Sequence, residues 1–406
     1  MGALEQPFGR IFAVLSRAAS LLALALAAAF CVTQAANAQT FHLLYQFKSG
    51  HDGSQPYASL ILDPKGNLYG TTWIDGAYSY GTVFKLSPSG KETVLHSFTG
   101  TRGDGAFPMS PLVRDAAGNL YGTTEYGGIY GGACLVQGCG IVFKVTPTGK
   151  ETVLHQFTDT AGDGMNPWQG LVRDSAGNLY GTTYLGGAYG RGTVFKLDAA
   201  GTETVLYNFG VNNPDALDPY VGSLLRDSAG NLYGTTSTDS YQSAGAVFRL
   251  DQSGTETVLH FFSFGTADGN TPYGTLARDT AGNLYGVTNL GGTFGYGTVF
   301  KVDATDTETL LYSFSGTGGD GAYPGGGLVR DRAGNLYSTT TTGGSSFFGI
   351  VFKLDTAGKE TILHSFSGDD GKFPDLGLVR DAKGNLYGTT QNGGKYGGGV
   401  VFKVTP

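Results

Sequence analysis

One heptapeptide, Gly118-Asn119-Leu120-Tyr121-Gly122-Thr123-Thr124, occurs seven times in this chain, and no other feature constrains the fold as strongly. The remaining copies begin at Gly66, Gly177, Gly230, Gly282, Gly334 and Gly384, with Val287 in place of the first Thr of one and Ser338 in place of the second Gly of another. Each copy sits inside a unit of roughly 50 residues, a period that belongs to solenoids, propellers and arrays. A Leu-Val-Arg-Asp run precedes the heptapeptide; a Val-Phe-Lys-Leu run and then Glu-Thr-Val-Leu-His follow it.

Every unit holds four strand-like runs. In the second they are Leu112 to Arg114, Asn119 to Thr124, Ile141 to Val145 and Glu151 to Phe157. Val, Phe, Tyr, Thr and Leu fill these runs, and Gly, Pro, Asp and Ser separate them. No window beyond the N-terminal region has an apolar period of about 3.6 residues. Four short strands and no helix per unit predict propeller blades, and runs apolar on both faces predict sheets sandwiched between sheets. The 68 glycines fall at fixed places in the repeat, so they are turn chemistry rather than low complexity.

The chain ends predict closure. Phe41 to Phe47 reads as a fourth strand, and Val400 to Val404 as a third strand whose fourth is missing. Pairing the two gives an all-β, seven-bladed β-propeller of four antiparallel strands per blade over residues 39–406, closed by the N-terminal strand in the last blade. An open solenoid would need caps at both ends. The short first-to-second and third-to-fourth turns then share one face. The longer second-to-third and between-blade loops share the other, which is the expected working surface.

Residues 1–38 read as a secretory signal: Arg10 and Arg17, an apolar run from Ala18 to Val32, and the small-x-small pattern Ala36-Asn37-Ala38. The apolar run is shorter than the roughly 20 residues of a spanning helix. Export to a periplasmic or extracellular compartment is therefore expected, with no membrane span in the mature chain. Removing the signal leaves 24 basic and 32 acidic residues. That acidic balance argues against nucleic acid as a partner. Cys134 and Cys139 are expected to form a disulfide in an oxidising compartment. Metal ligation by the pair lacks a neighbouring His or further Cys. A monomer is expected.

The repeat is its own control. A residue present in every blade serves the blade; one that varies can serve a ligand. His96, His155, His260 and His364 share a fourth-strand position with Tyr45, Tyr207 and Tyr312, so they are read as packing residues and no metal is assigned. The recurring Arg and Lys are expected in ion pairs with recurring Asp and Glu. The recurring Tyr is expected to pack between blades, and the second Gly to admit a close neighbour. Asp52, Asp104, Asp163, Asp268, Asp320 and Asp370 each precede Gly; one carboxylate per loop fits a turn better than calcium.

Two positions vary freely on the long-loop face. One follows the second strand: Trp73, Glu125, Tyr184, Ser237, Asn289, Thr341 and Gln391. The other follows the between-blade Pro: Tyr57, Met109, Trp168, Tyr220, Tyr273, Gly325 and Asp375. From these the candidate ligand-binding residues are Tyr57, Trp73, Glu125, Trp168, Tyr184, Tyr220, Tyr273 and Asn289, grouped at the channel mouth. Aromatic faces interleaved with amides and a carboxylate suit a sugar ring or an extended polymer; the competing reading is that they cap the blades as satellite core. A carbohydrate or other extracellular ligand is the leading expectation, with no cofactor. A polysaccharide lyase or glycoside hydrolase using Glu125 and channel-mouth aspartates is an alternative, though a lone carboxylate is weak support for it. A protein-interaction scaffold is another.

The repeat resembles the GloVer-type tandem repeat of exported bacterial proteins along essentially all of residues 41–406. Its Asp-x-x-Gly-Asn-Leu-Tyr core also resembles NHL-type propeller repeats. The resemblance implies a propeller and binding more than catalysis, and it carries no site residues. The family's variable C-terminal surface anchors have no counterpart before Pro406, so release rather than surface attachment is expected.

Overall fold

A computed structural model of the chain describes residues 39–134, 137–160, 162–210, 219, 222–237, 244–265 and 267–406; the signal expected over 1–38 lies outside these. Thr40–Thr405 forms one unit. It contains seven antiparallel sheets of at least four strands each, and no α-helix occurs among the described residues. In the second blade the strands are Val113–Arg114, Leu120–Thr124, Ile141–Val145 and Glu151–Gln156, hydrogen-bonded in that order. The two central strands are buried on both faces, as sandwiching requires.

The last blade is composite. Val379–Arg380, Leu386–Thr390 and Val400–Thr405 come from the C-terminus, and Thr40–Gln46 completes the sheet. Phe41 pairs with Val404, Leu43 with Phe402 and Tyr45 with Val401, with a bulge between Leu43 and Tyr45. The second blade bulges at the same place, pairing Val142 with His155 and Phe143 with Val153. The N-terminal strand thus reproduces the register of an uninterrupted blade. Phe47, Phe84 and Val401 share a buried cluster, which joins the last blade to the first.

A Phe at the end of each blade locks it to the next. Phe98 meets Phe143 edge to face at 5.1 Å, Phe157 meets Phe195 at 5.2 Å, and Phe366 meets Phe402 at 5.2 Å. Phe47 and Phe84 repeat this at 5.2 Å across the junction of the last blade with the first. Edge-to-face geometry adds roughly 0.5–1.5 kcal/mol per pair to the burial of the rings.

The turn motif is explained by one carboxylate. Asp115 Oδ1 accepts the Asn119 backbone N–H at 2.8 Å, while Oδ2 accepts Asn119 Nδ2 at 2.7 Å and the Tyr121 hydroxyl at 2.9 Å. The same triad forms in the first blade through Asp63, Asn67 and Tyr69. The Tyr packs between blades as expected. The Arg differs from expectation: Arg173 of the third blade lies over the Tyr121 ring, 5.8 Å from its centroid, and Arg278 lies over Tyr233 at 5.5 Å. Since the Tyr hydroxyl already occupies the Asp, the guanidinium takes the ring face left exposed beside it. The second Gly also has a definite reason. A Cβ on Gly122 would lie 2.7 Å from the Phe143 ring and 2.9 Å from Leu112.

Candidate functional site

The channel mouth is built by a kink that recurs before six between-blade prolines among the described residues. Gln55, Phe107, Asn166, Thr271, Tyr323 and Phe373 all have φ between 52° and 58°. Non-Gly residues rarely adopt this left-handed conformation, which persists only where neighbours over-determine it. Here they do. The Asn166 N–H donates to Cys139 O at 2.9 Å, and its carbonyl accepts from the Tyr184 N–H at 3.1 Å. The kink turns the chain from the loop ribbon into the inner strand and aims the residue after Pro at the channel.

A cavity of about 80 Å³ results, lined by Tyr57, Met109, Trp168, Gln169 and Tyr273 among others. Small residues floor it, because the inner strands converge there. A Cβ on Gly170 would fall 2.3 Å from Ser223 Oγ and 3.0 Å from Pro111, and one on Gly377 3.0 Å from Ser59 Oγ.

The expected site residues divide accordingly. Tyr57, Trp168 and Tyr273 line the cavity. Trp73 and Tyr184 stand behind them: the Trp73 ring is 6.2 Å from Tyr57, and Tyr184 stacks on Trp168 at 5.1 Å and 18°. Glu125 is buried rather than presented to the cavity, and burial raises its pKa against the hydrogen bonds from Tyr126 and Trp168 that lower it. Asn289 Nδ2 donates to Pro324 O at 3.4 Å and so serves the neighbouring kink. Tyr220 lies outside the described residues. Cys134 and Cys139 form the expected disulfide, Cα atoms 5.1 Å apart, and the Cys139 carbonyl anchors the kink that carries Trp168.

The candidate ligand-binding set leaves out Asp375, which shares the post-Pro position with Tyr57 and Trp168 but offers no aromatic ring. Only 8% of it is exposed. Thr341 Oγ1 donates to its Oδ1 at 2.5 Å and Gln391 Nε2 to its Oδ2 at 2.9 Å. Burial pushes its pKa up to about 6, opposed by hydrogen bonds from Thr341, Gln391 and Tyr57. Three residues from the two variable positions therefore converge on the Asp375 carboxylate, and the Tyr57 ring joins that network to the cavity wall. The signal was available: Asp375 is the only acid at its position.

The Asp-Gly loops are turns, as expected. Asp104 accepts the Thr99 N–H at 2.8 Å and hydroxyl at 2.6 Å through Oδ2, and the Gly105 N–H at 2.7 Å through Oδ1. The second-to-third loops are not slack either. They pair with the between-blade loops in short ribbons, such as Gly164–Met165 with Leu185–Gly186.

Fold and mouth together define a seven-bladed β-propeller with an aromatic-lined cavity where its inner strands begin. The chain belongs to the Gloeobacter/Verrucomicrobia repeat family, whose repeat matches residues 29–137, 130–332 and 318–406. No curated protein matches it. Among solved structures it is similar to a candidate 6-phosphogluconolactonase from Bacteroides uniformis, at 16% identity and TM-score 0.50 over 79% of this chain and 88% of that one. It is also similar to a gluconolactonase from Xanthomonas campestris, at 16% identity and TM-score 0.44 over 91% and 90% of the two chains. At these identities the likeness extends to the fold alone. Among the described residues, no helix is long and apolar enough to cross a membrane.

Proposed function

We propose that this protein is an exported binding propeller that recognises a carbohydrate at the mouth of its central channel. The observation carrying the reading is the composition of that mouth. Tyr57, Trp168 and Tyr273 supply ring faces at a cavity, and Asp375, Thr341 and Gln391 supply hydrogen-bonding groups behind Tyr57. Sugars combine apolar C–H faces with hydroxyls, and a pocket of aromatic walls with a few fixed polar groups complements both. Export is supported by the signal-like residues 1–38 and by a disulfide of the kind oxidising compartments maintain.

The test is a glycan array on the folded protein, followed by titration of the best ligand against Trp168→Ala and Tyr273→Phe. Tyr273→Phe keeps the ring and is expected to retain binding. Trp168→Ala is expected to weaken it at least tenfold with little change in melting. A blank array, or binding indifferent to Trp168→Ala, overturns the reading in favour of a structural role for the aromatics.

A further inference from the structure

At two of the junctions between blades, side chains from successive outer strands meet around one small space. His96 of the first blade, Asp104 of the loop that follows and Glu151 of the second blade bring one ligand atom each within 4.8 Å of the others. His155, Asp163 and Glu203 do the same one junction further round.

We propose that each cluster binds a zinc ion, through His Nε2, the Asp Oδ1 and a Glu carboxylate oxygen, with water completing the shell. Spacing is the first reason. His96 Nε2 stands 3.6 Å from Asp104 Oδ1, and His155 Nε2 3.7 Å from Asp163 Oδ1. These separations are too long for a hydrogen bond, which wants about 2.7–3.2 Å. They suit two ligands of one ion, because zinc bonds of about 2.0–2.2 Å in a tetrahedron place ligand atoms roughly 3.4 Å apart.

Unmet bonding capacity is the second reason. His96 Nε2, Glu151 Oε1, His155 Nε2 and Glu203 Oε1 are all shielded from solvent and none has a hydrogen-bond partner. Asp104 Oδ1 accepts the Gly105 N–H, which leaves it a second lone pair for an ion. A histidine nitrogen beside two carboxylate oxygens is a donor set zinc accepts readily, with an open fourth position.

Two junctions that lack one member of the set act as controls; a third full set, His260, Asp268 and Glu308, keeps its His and Asp 3.4 Å apart. Where the last blade has Phe41 in place of the Glu, His364 Nε2 closes on Asp370 Oδ2 to 2.9 Å, an ordinary hydrogen bond. Where Tyr45 replaces the His, its hydroxyl donates to Asp52 at 2.8 Å. The wider spacing accompanies the full His, Asp and Glu set.

The experiment uses untagged, chelator-stripped full-length protein titrated with Zn²⁺ by calorimetry, in parallel with His96→Tyr, His155→Tyr, Glu151→Gln and Glu203→Gln. Tyr is the residue the repeat itself uses at the His position, and circular dichroism with melting curves verifies each fold. Wild type is expected to bind zinc at both clusters. Each single variant loses one equivalent, His96→Tyr with His155→Tyr loses two, and zinc raises the melting temperature of wild type more than of the double variant. If a Tyr variant misfolds, the Glu→Gln variant of the same cluster gives the reading. No zinc uptake by folded wild type, uptake unchanged in the folded variants, or uptake of Ca²⁺ in preference to Zn²⁺ overturns the assignment.

Discussion

Phe41 lies flat on the imidazole of His364, ring centroids 3.7 Å apart and planes 9° from parallel. Elsewhere a Glu begins the fourth strand; here an aromatic ring fastens the start of the chain to the preceding blade. Phe47 packs on Phe84 of the first blade, and Tyr45 pairs with Val401 within the last. The closure is thus built from burial and pairing rather than charge.

Seam truncations should therefore cost what core truncations cost. Phe47 is fully buried, and Phe47→Ala is expected to destabilise by about 3–5 kcal/mol. Phe41 is half-buried, and Phe41→Ala should cost about half as much. Urea unfolding measures both. A Phe47→Ala midpoint equal to wild type would mean that the ring does not depend on its N-terminal strand.

Asp375 gives a pH signature. Its folded pKa of about 6 lies above the unfolded value, so between the two the folded state holds a proton that the unfolded state has released. Its contribution is intact below about pH 4 and is lost as pH rises towards 6, a change on the order of 3 kcal/mol. Other buried carboxylates, Glu360 at about 7 among them, slope the same way. The difference between wild type and Asp375→Asn, measured by urea unfolding from pH 4 to 7, isolates the one group. A flat difference curve would place the carboxylate in contact with solvent.

The junction of the last blade with the first lacks one interaction. Arg380 lies over Tyr337 and Arg114 over Tyr69, but the place of that Arg in the first blade is taken by Leu62, facing the blade that carries Tyr387. Leu62→Arg should restore the stack and stabilise by about 0.5–1 kcal/mol, read as a higher urea midpoint with an unchanged slope. A lower midpoint would show that Leu62 is needed where it is, beside Leu60 and Leu68 in the cluster that spans the seam.

The ring was legible in the sequence because the repeat has a register: a spare fourth strand at one end and a missing one at the other leave one economical pairing. The mouth was half legible. Tyr57, Trp168 and Tyr273 stood out as large residues at a variable position, and their place on the inner strand followed from blade order. Asp375 did not stand out, because a carboxylate there reads as a solvated loop residue until its burial is known. The Arg on the Tyr ring was hidden for a related reason. Opposite charges in Leu-Val-Arg-Asp suggest pairing, and only the turn geometry reveals that the Asp is already committed to Asn and Tyr. His96 and Glu151 lie 55 positions apart in the sequence, at repeat positions that look unrelated until two blades are laid side by side.

Ser338 shows how narrowly the second Gly is specified. In its blade the segment leading into the inner strand reads Gly325-Gly326-Gly327, and Ser338 Oγ donates to Gly326 O at 2.9 Å. The second blade has Ser110 at the place of Gly326, and its hydroxyl is already engaged by Thr123 Oγ1 at 2.8 Å. A serine at Gly122 would therefore meet the Phe143 ring and Leu112 without the room that three glycines leave. Gly122→Ser is expected to cost about 1–3 kcal/mol by overpacking, whereas Ser338→Gly should lose only about 1 kcal/mol with its hydrogen bond. Thermal melts of the two variants decide it. Equal losses would mean that the blade accommodates a side chain at this position whatever its inner strand contains, and that the glycine answers to the turn rather than to the ring behind it.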